Sequence, residues 1–386
     1  MKIIHVANFY GPKSGGIKTT LHNLGTGYTN RGHEFTYIVP GNGFHQEKTA
    51  HGSRITVPSW VIPFSGGYRI IKSNRQIKSI LLTLAPDRLE ISDRFTLSGV
   101  GRWAKAHKIS TLVFSHETLR GLIKTYLPFS LNRFVRWHNT RLAASFDHVV
   151  TTTNFAAAEF REIGTTNLLQ IPLGVDLQTF SPKNRDEELR TKLLKGGDVL
   201  LVHCGRLSPE KKPERSIDAL RELLKAGINA RLIYVGTGPL HKKLYESSRD
   251  IPVTFLGYIS DKKYLARIIA SSDISIAPGP IETFCLAALE SLASGTPVVC
   301  SKTSAVGEFL LTGANSYVGL AADNNGASIA KAVQELILKL ESDNTLRSRC
   351  QHQAENFPWS STLMMMLRLH GAGREVTALH RNLRAA

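Results

Sequence analysis

The sequence predicts an α/β protein with two Rossmann-like domains, and three observations carry that expectation. The chain has 386 residues, too many for one ordinary hydrophobic core. Its 42% hydrophobic content and 31 glycines suit alternating strands and helices joined by tight turns. It opens on a strand, a glycine loop and a helix, and a second unit of the same kind starts near residue 198. The expected N-terminal domain covers residues 1–175, the C-terminal domain 176–386.

Residues 2–7, KIIHVA, form a β-rich apolar run that reads as the first strand. The loop NFYGPKSGGIKT then leads into a helix from about Thr19 to Asn30. It lacks the GxGxxG spacing of a dinucleotide site, yet Gly15 and Gly16 let the backbone approach a ligand closely. An ordinary strand-to-helix turn explains the same two glycines equally well. HEFTYIVPG (33–41) is the second strand, RITVPSWVIPFSGG a loop with exposed aromatics, and YRIIKSNRQIKSILLTL an amphipathic basic helix. DRLEIS gives another strand, followed by a turn at Asp93–Arg94. TLVFSHE (111–117) is a strand ending on His116 and Glu117. Open α/β sheets place their ligands at such carboxyl ends, although a lone histidine is more often structural.

Residues 118–141 mix base and aromatic character: Arg120, Lys124, Arg133, Arg136 and Arg141 alternate with Leu122, Tyr126, Phe129, Phe134 and Trp137. This pattern suits a surface lying on an anionic membrane, stacking on single-stranded nucleic acid, or a helix that buries Phe134 and Trp137 in the core. DHVVTTT and NFAAAEFREIG supply the next strand and helix. IPLGVDLQTFSP (171–182) ends a strand and runs into the polar linker KNRDEELRTKLLKGG, which marks the domain boundary.

The second domain begins with a strand at 198–204 that delivers Gly205 and Arg206, with Lys211 on the loop beyond. A planar fork and a point charge at one strand end suit a diphosphate. Solvated surface charges are the plainer explanation, but Ser208 and Pro209 shape a defined turn. ARLIYVGTGP (230–239) is a strand and glycine turn, and VTFLGYISDKKYL (253–265) a strand, a loop and a capped helix. SSDISIAP feeds the stretch at 278–299, PGPIETFCLAALESLASGTPVV, around which the chain is organised. There Pro278, Gly279 and Pro280 make a turn, Leu286 to Ala293 recur at helical spacing, and Gly295 and Pro297 end the helix. Glu282 falls on the loop and Glu290 inside the helix. Free N–H groups from Thr283 to Leu286, with the helix dipole, suit an anion, and the adjacent carboxylates suit a ligand that also carries hydroxyls. Helices follow near 326–341, 343–355 and 360–370.

The glutamate–seven–glutamate stretch resembles the signature of retaining glycosyltransferases of the GT-B fold (glycosyltransferase family 4, group 1). That resemblance implies two Rossmann-like domains facing across a cleft, the last helix (about 360–386) crossing back to the first domain. It implies that Glu282 faces the donor sugar, that Glu290 holds the ribose, and that backbone amides of Phe284, Cys285 and Leu286 contact sugar and phosphate. The family usually has glycine at the position of Cys285. GRLSPEK resembles the family's diphosphate clamp and assigns it to Arg206 and Lys211, with Lys212 where many members have glycine. By the same resemblance His116 faces the donor sugar, Gly15 and Gly16 lie near the donor phosphates and acceptor, and Gly257, Tyr258 and Ile259 border the base. Pro172, Gly174, Val175 and Asp176 match the interdomain crossover. VANFYGPKSGG, EISDRFTL, SHETL and LGVDLQTF look like the actinobacterial enzymes that use GDP-mannose to extend phosphatidylinositol dimannoside by an α-1,6 mannose.

The expected function is therefore retaining transfer of mannose from GDP-mannose to a phosphatidylinositol mannoside-type glycolipid. No DxD motif is present, so no metal and no cofactor is expected, and the four cysteines lack metal spacing. The net charge of +17 suits an anionic glycolipid acceptor and the inner membrane leaflet, with Arg120, Lys124, Arg133, Arg136 and Trp137 as the contact. No apolar run is long enough to span a bilayer, and the N-terminus reads as a strand, not a signal peptide. The expected location is cytoplasmic, peripheral on the plasma membrane, with no nucleic-acid partner. Other readings are a UDP-sugar-dependent enzyme of the same fold, a basic nucleic-acid-binding protein, and a sugar- or lipid-binding module without turnover.

Overall fold

The computed structural model describes residues 1–371 except 12, 13, 64, 66, 128–130, 314 and 315. Its first half runs β1 (Lys2–Ala7), α1 (Gly16–Thr29), β2 (Glu34–Gly41), β3 (His45–Thr49), β4 (Gly52–Val61), β5 (Arg69–Ile71), α2 (Asn74–Leu84), β6 (Arg88–Ser92), α3 (Ser98–Ala106), β7 (Ser110–Phe114), α4 (Leu119–Tyr126), α5 (Asn132–Ala144), β8 (His148–Thr151), α6 (Asn154–Arg161) and β9 (Leu168–Gln170). These strands form one sheet in the order β3-β4-β2-β1-β6-β7-β8-β9, with β5 paired to β4. β1 is parallel to both β2 and β6, so the strand order reverses there. That switch point opens a crevice at the carboxyl ends, beside Asn8 and Asp93.

The second half runs α7 (Glu187–Leu194), β10 (Val199–Cys204), α8 (Glu214–Lys225), β11 (Ala230–Val235), α9 (His241–Ser247), β12 (Val253–Gly257), α10 (Lys262–Ser271), β13 (Ile274–Ala277), α11 (Leu286–Ala293), β14 (Val298–Ser301), β15 (Leu311–Gly313), β16 (Ser316–Tyr317), β17 (Gly319–Ala322), α12 (Gly326–Ser342), α13 (Leu346–Ala354) and α14 (Trp359–Leu369). Its main sheet is parallel throughout, in the order β12-β11-β10-β13-β14-β17. The switch point lies between β10 and β13, whose carboxyl ends carry Arg206 and the Pro278 turn.

Alternation along the strands builds the cores. Ile4, Val6, Leu89, Ile91 and Val113 pack under α2 and α3, while Ile3, Ala7, Leu112 and Phe114 face the opposite side. α14 closes that opposite side: Leu363, Met366 and Leu367 join Leu21, Leu24 and Tyr28 of α1. A Cβ on Gly27 would stand 2.4 Å from Leu363, so glycine lets the two helices touch. The crossover is fixed where the Val175 N–H donates to the Phe357 carbonyl at 2.9 Å and Thr362 Oγ1 to the Pro172 carbonyl at 2.8 Å. Gly174 lies against the backbone of Trp359, where a Cβ would approach the amide nitrogen to 2.4 Å. Trp359 itself is partly buried against the second domain's core.

Several sequence expectations need correction. RITVPSW is not loop but most of β4, paired antiparallel with β3; Trp60 is exposed as expected. Arg69–Ile71 is an edge strand, and the helix after it starts only where Ser73 accepts from the Gln76 N–H. The polar linker contains α7, capped by Asp186, whose side chain accepts from Leu189 N–H. Residues 118–141 are two helices, α4 and α5, and Phe134 and Trp137 lie outside the core; Phe129 falls outside the described residues.

Candidate functional site

The turn between β13 and α11 is built to present Glu282. Arg215 Nη1 holds the Pro278 carbonyl at 3.1 Å, Thr303 Oγ1 the Pro280 carbonyl at 3.2 Å, and the Ala305 N–H the Glu282 carbonyl at 2.9 Å. A Cβ on Gly279 would come within 2.9 Å of Glu282 Oε1, so the glycine makes room for the carboxylate to fold over the turn. Lys211, on a short 3-10 turn (Pro209–Lys211), places Nζ 2.6 Å from both Glu282 oxygens. Burial alone would lower the Lys211 pKa, but the Glu282 charge carries it well above the ordinary lysine value. Two residues expected in different roles are thus one ion pair. Cys285 sits at φ 68°, in the left-handed region, and starts α11 without any side-chain cap. The first turn of α11 is therefore open to an anion. Phe284 is buried against Phe309 and Phe357, so a ligand there meets its backbone.

Arg206 follows β10 through Gly205, at φ 152°. The GTGP turn presses on this loop: a Cβ on Gly236 would stand 1.9 Å from the Gly205 carbonyl oxygen, and one on Gly238 2.3 Å from that of Leu207. Those glycines, weak as a motif, hold the Arg206 loop in place. The guanidinium stacks 3.7 Å from the ring centre of Tyr68 and donates to the Ser65 carbonyl, both in the first domain.

Facing this, His116 follows β7. Its Nε2 lies 2.9 Å from Ser92 Oγ and its ring stacks on Phe114. Burial, and then His5, pushes the His116 pKa down to about 3, so the ring is neutral. Burial pushes the neighbouring Glu117 up to about 7, with Arg94 and Lys211 opposing it. The domains are stitched directly at this point. Thr283 Oγ1 donates to the His116 carbonyl, while Thr152 and Thr153 hydroxyls donate to the Thr283 carbonyl at 2.9 and 2.8 Å. Tyr126 donates to Glu210 at 2.7 Å, and Glu308 of the second domain accepts from the Asn154 and Phe155 N–H groups. Sequence reading did not single out Ser65, Tyr68, Thr152, Thr153 or Glu308, because each acts through a partner in the other domain.

The remaining candidates surround this centre. Gly15 and Gly16 are exposed at the start of α1, and a Cβ on either would meet nothing within 4 Å. Gly257 adopts φ 72° at the end of β12, followed by exposed Tyr258 and half-buried Ile259. Leu286 and Glu290 are half-buried on α11. Burial raises Glu290 to about 7, with Lys262 opposing and Asp176 adding to the shift. Away from the centre, Lys124 of α4 and Arg133, Phe134, Arg136 and Trp137 of α5 are exposed, Trp137 by 54%. Arg120 instead forms a two-pronged pair with Glu162, its Nη1 2.9 Å from Oε1. Among the described residues no helix is long and apolar enough to cross a membrane, and no group of three His, Cys, Asp or Glu is placed to hold a metal.

Comparison with known proteins gives two family matches, Glycosyltransferase Family 4 over residues 14–179 and Glycosyl transferases group 1 over 184–357. The chain is 44% identical over 375 residues to a GDP-mannose-dependent alpha-(1-6)-phosphatidylinositol dimannoside mannosyltransferase of Mycobacterium tuberculosis, covering 96% of each. It is 26% identical to a GDP-mannose-dependent alpha-mannosyltransferase of Corynebacterium glutamicum, covering 82% of this chain and 76% of that one. Among solved structures, sucrose-phosphate synthase from Thermosynechococcus elongatus superposes with a TM-score of 0.75 at 18% identity, covering 98% of this chain and 100% of that one. The Anabaena protein Alr3699/HepE in complex with UDP and glucose gives the same TM-score and identity, with 96% and 99% covered. These two likenesses concern the GT-B fold alone.

Proposed function

Because the chain belongs to the glycosyltransferases of family 4 and group 1, we propose that it moves mannose from GDP-mannose to a phosphatidylinositol mannoside, with retention of anomeric configuration. The observation that carries this reading is the Lys211–Glu282 pair at the open start of α11, opposite His116, in a chain 44% identical to an enzyme named for that reaction. Arg206 leaves the Ser65 carbonyl for the donor diphosphate, and Lys211 adds a second charge. Together they stabilise the negative charge that develops on the departing GDP, usually the largest single contribution in such chemistry. Glu282 accepts from mannose hydroxyls, Glu290 from the ribose, and His116 approaches the sugar from the first domain. These two cations supply the charge that a divalent metal supplies elsewhere, so neither metal nor cofactor is needed. Contact between the domains excludes water and limits hydrolysis of the donor. No side chain is assigned as a nucleophile; the acceptor attacks on the face the leaving phosphate vacates.

The test is incubation with GDP-mannose and mycobacterial lipid extract, with the product identified by mass. UDP-sugars serve as the donor control. Glu282→Ala and Arg206→Ala are each expected to lower kcat/KM by roughly 10² or more, the usual loss for a charge-stabilising group. Melting temperatures should stay near that of the parent protein. Full activity in both variants would refute the assignment.

The acceptor is an anionic lipid, and α5 offers Arg133, Phe134, Arg136 and Trp137 to the cytoplasmic leaflet that holds it. Each cation near such a surface contributes about 1 kcal/mol. Arg133→Glu with Arg136→Glu should therefore weaken binding to anionic vesicles by at least ~30-fold. Unchanged co-sedimentation with the vesicles would rule this surface out.

A further inference from the structure

A line of buried polar side chains crosses the apolar face of the first sheet and ends at His116. On β1 and β6, His5, Glu90 and Ser92 occupy alternate positions, on the same face as Ile3, Ala7, Leu112 and Phe114. Their hydrogen bonds are continuous. His370 Nε2 lies 2.6 Å from Glu90 Oε1, and Glu90 Oε2 lies 2.7 Å from His5 Nδ1. His5 Nε2 is 2.8 Å from Ser92 Oγ, which is 2.9 Å from His116 Nε2. The Tyr28 hydroxyl donates to Glu90 Oε1 at 2.7 Å. His5 and Glu90 are fully buried, and Ser92 and His370 are 3% exposed.

Apolar residues at these positions would build the core at less cost, because a buried carboxylate is expensive unless every oxygen is satisfied. Burial alone would raise the Glu90 pKa; the hydrogen bonds from His370 and His5 instead pull it to about 2. The carboxylate is thus held ionised by two imidazoles and a phenol. One of those imidazoles, His370, comes from the turn that ends α14.

We propose that His370, Glu90, His5 and Ser92 are positioning residues that fix the ring orientation and tautomer of His116. The proton sense follows from the chain of donors. Ionised Glu90 takes the Nδ1–H of His5, and we assign the other ring nitrogen, Nε2, as an acceptor. The Ser92 hydroxyl donates to that nitrogen, and its oxygen accepts the Nε2–H of His116. His116 is left with an unprotonated Nδ1, an acceptor for a sugar hydroxyl. This inference rests on the reading of His116 as the residue that faces the donor sugar.

Ser92→Ala cuts the line next to His116 while changing little volume. In the full-length protein with GDP-mannose and lipid acceptor, kcat is expected to fall roughly 10-fold or more, the scale of a small misplacement at a reacting centre. Donor KM should stay within about twofold, since binding is not what is lost. The ¹⁵N imidazole signals of His116 should move from a single Nε2–H form to a tautomer mixture. Ser92→Thr, which keeps the hydroxyl, should restore both readouts, and His370→Gln should act in the same direction as Ser92→Ala. Unchanged kcat in Ser92→Ala overturns the proposal. His116→Ala then separates the causes: if it too is fully active, the reading of His116 has failed, and if it is inactive, the line of contacts does not position it.

Discussion

Glu282 and Glu290 lie on one turn and the helix it opens, yet their surroundings differ. Glu282 is tied to Lys211, whereas Glu290 is half-buried, with its pKa raised to about 7. Glu290 accepts from two ribose hydroxyls best when ionised, with both oxygens free of protons. Its raised pKa then puts the change in donor affinity around neutrality: binding is strong above pH 7 and weakens as pH falls through it. Calorimetric titration with GDP from pH 8 to 6 should show this, and Glu290→Gln should flatten the profile. An unchanged profile in that variant would take Glu290 out of the site. Both glutamates were legible in the sequence, because their spacing around a helix start is local. The Lys211–Glu282 contact was not, since it joins residues on separate strand ends. At Cys285 and Lys212 the resemblance led to an expectation of glycine, and the structure gives the physical reason: both residues adopt left-handed φ, 68° and 48°. A side chain there costs roughly 1–2 kcal/mol.

Helix α6 depends on two domains for its start. Thr153 Oγ1 accepts from the Ala156 N–H at 3.1 Å and donates to the Thr283 carbonyl at 2.8 Å. Glu308 takes the Asn154 and Phe155 N–H groups at 2.9 and 2.6 Å. One helix end thereby senses whether the second domain is in contact. Removing such a capping carboxylate typically costs about 1 kcal/mol. Glu308→Ala should therefore shift the protein toward open forms, seen as a larger radius of gyration in X-ray scattering without donor. An unchanged radius would mean that the other contacts hold the domains together unaided. The helix itself follows from the sequence; its two capping groups were not singled out there, Glu308 because it stands on the far domain. The same limit explains β3 and β4. RITVPSW reads in the sequence as a loop with exposed aromatics, and it is pairing of β4 with β3 on one side and β2 on the other that makes it a strand.

At the scale of the molecule, acid should act through histidines kept neutral inside it. Burial lowers both His116 and His203 to about 3, with His5 and Lys211 respectively adding to the effect. An unfolded chain takes up these protons near pH 6.5, whereas the folded one refuses them until about pH 3. Stability is thus full above pH 6.5 and declines as pH falls below it, each site adding about 1.4 kcal/mol per pH unit to the slope. Urea unfolding between pH 7 and 5 measures this, and His203→Gln should make the decline shallower. A flat curve would show that these rings accept protons without cost. The two-domain plan was readable from the paired strand–loop–helix units, whereas the return of the last helix was implied by the family resemblance alone; of the expected 360–386, residues 372–386 fall outside the described residues. How deeply α14 is built into the first domain was not readable, since Leu363, Met366 and Leu367 carry no mark of which core they serve. Their placement has a consequence for biosynthesis. On the ribosome, the first domain emerges with one flank of its sheet covered by α1 without its partner α14, and synthesis must reach α14 before that flank is complete. A stop codon just after Phe357 would leave a sticky, unsealed N-terminal half, prone to clumping or to capture by chaperones, even though every strand of that half had been translated.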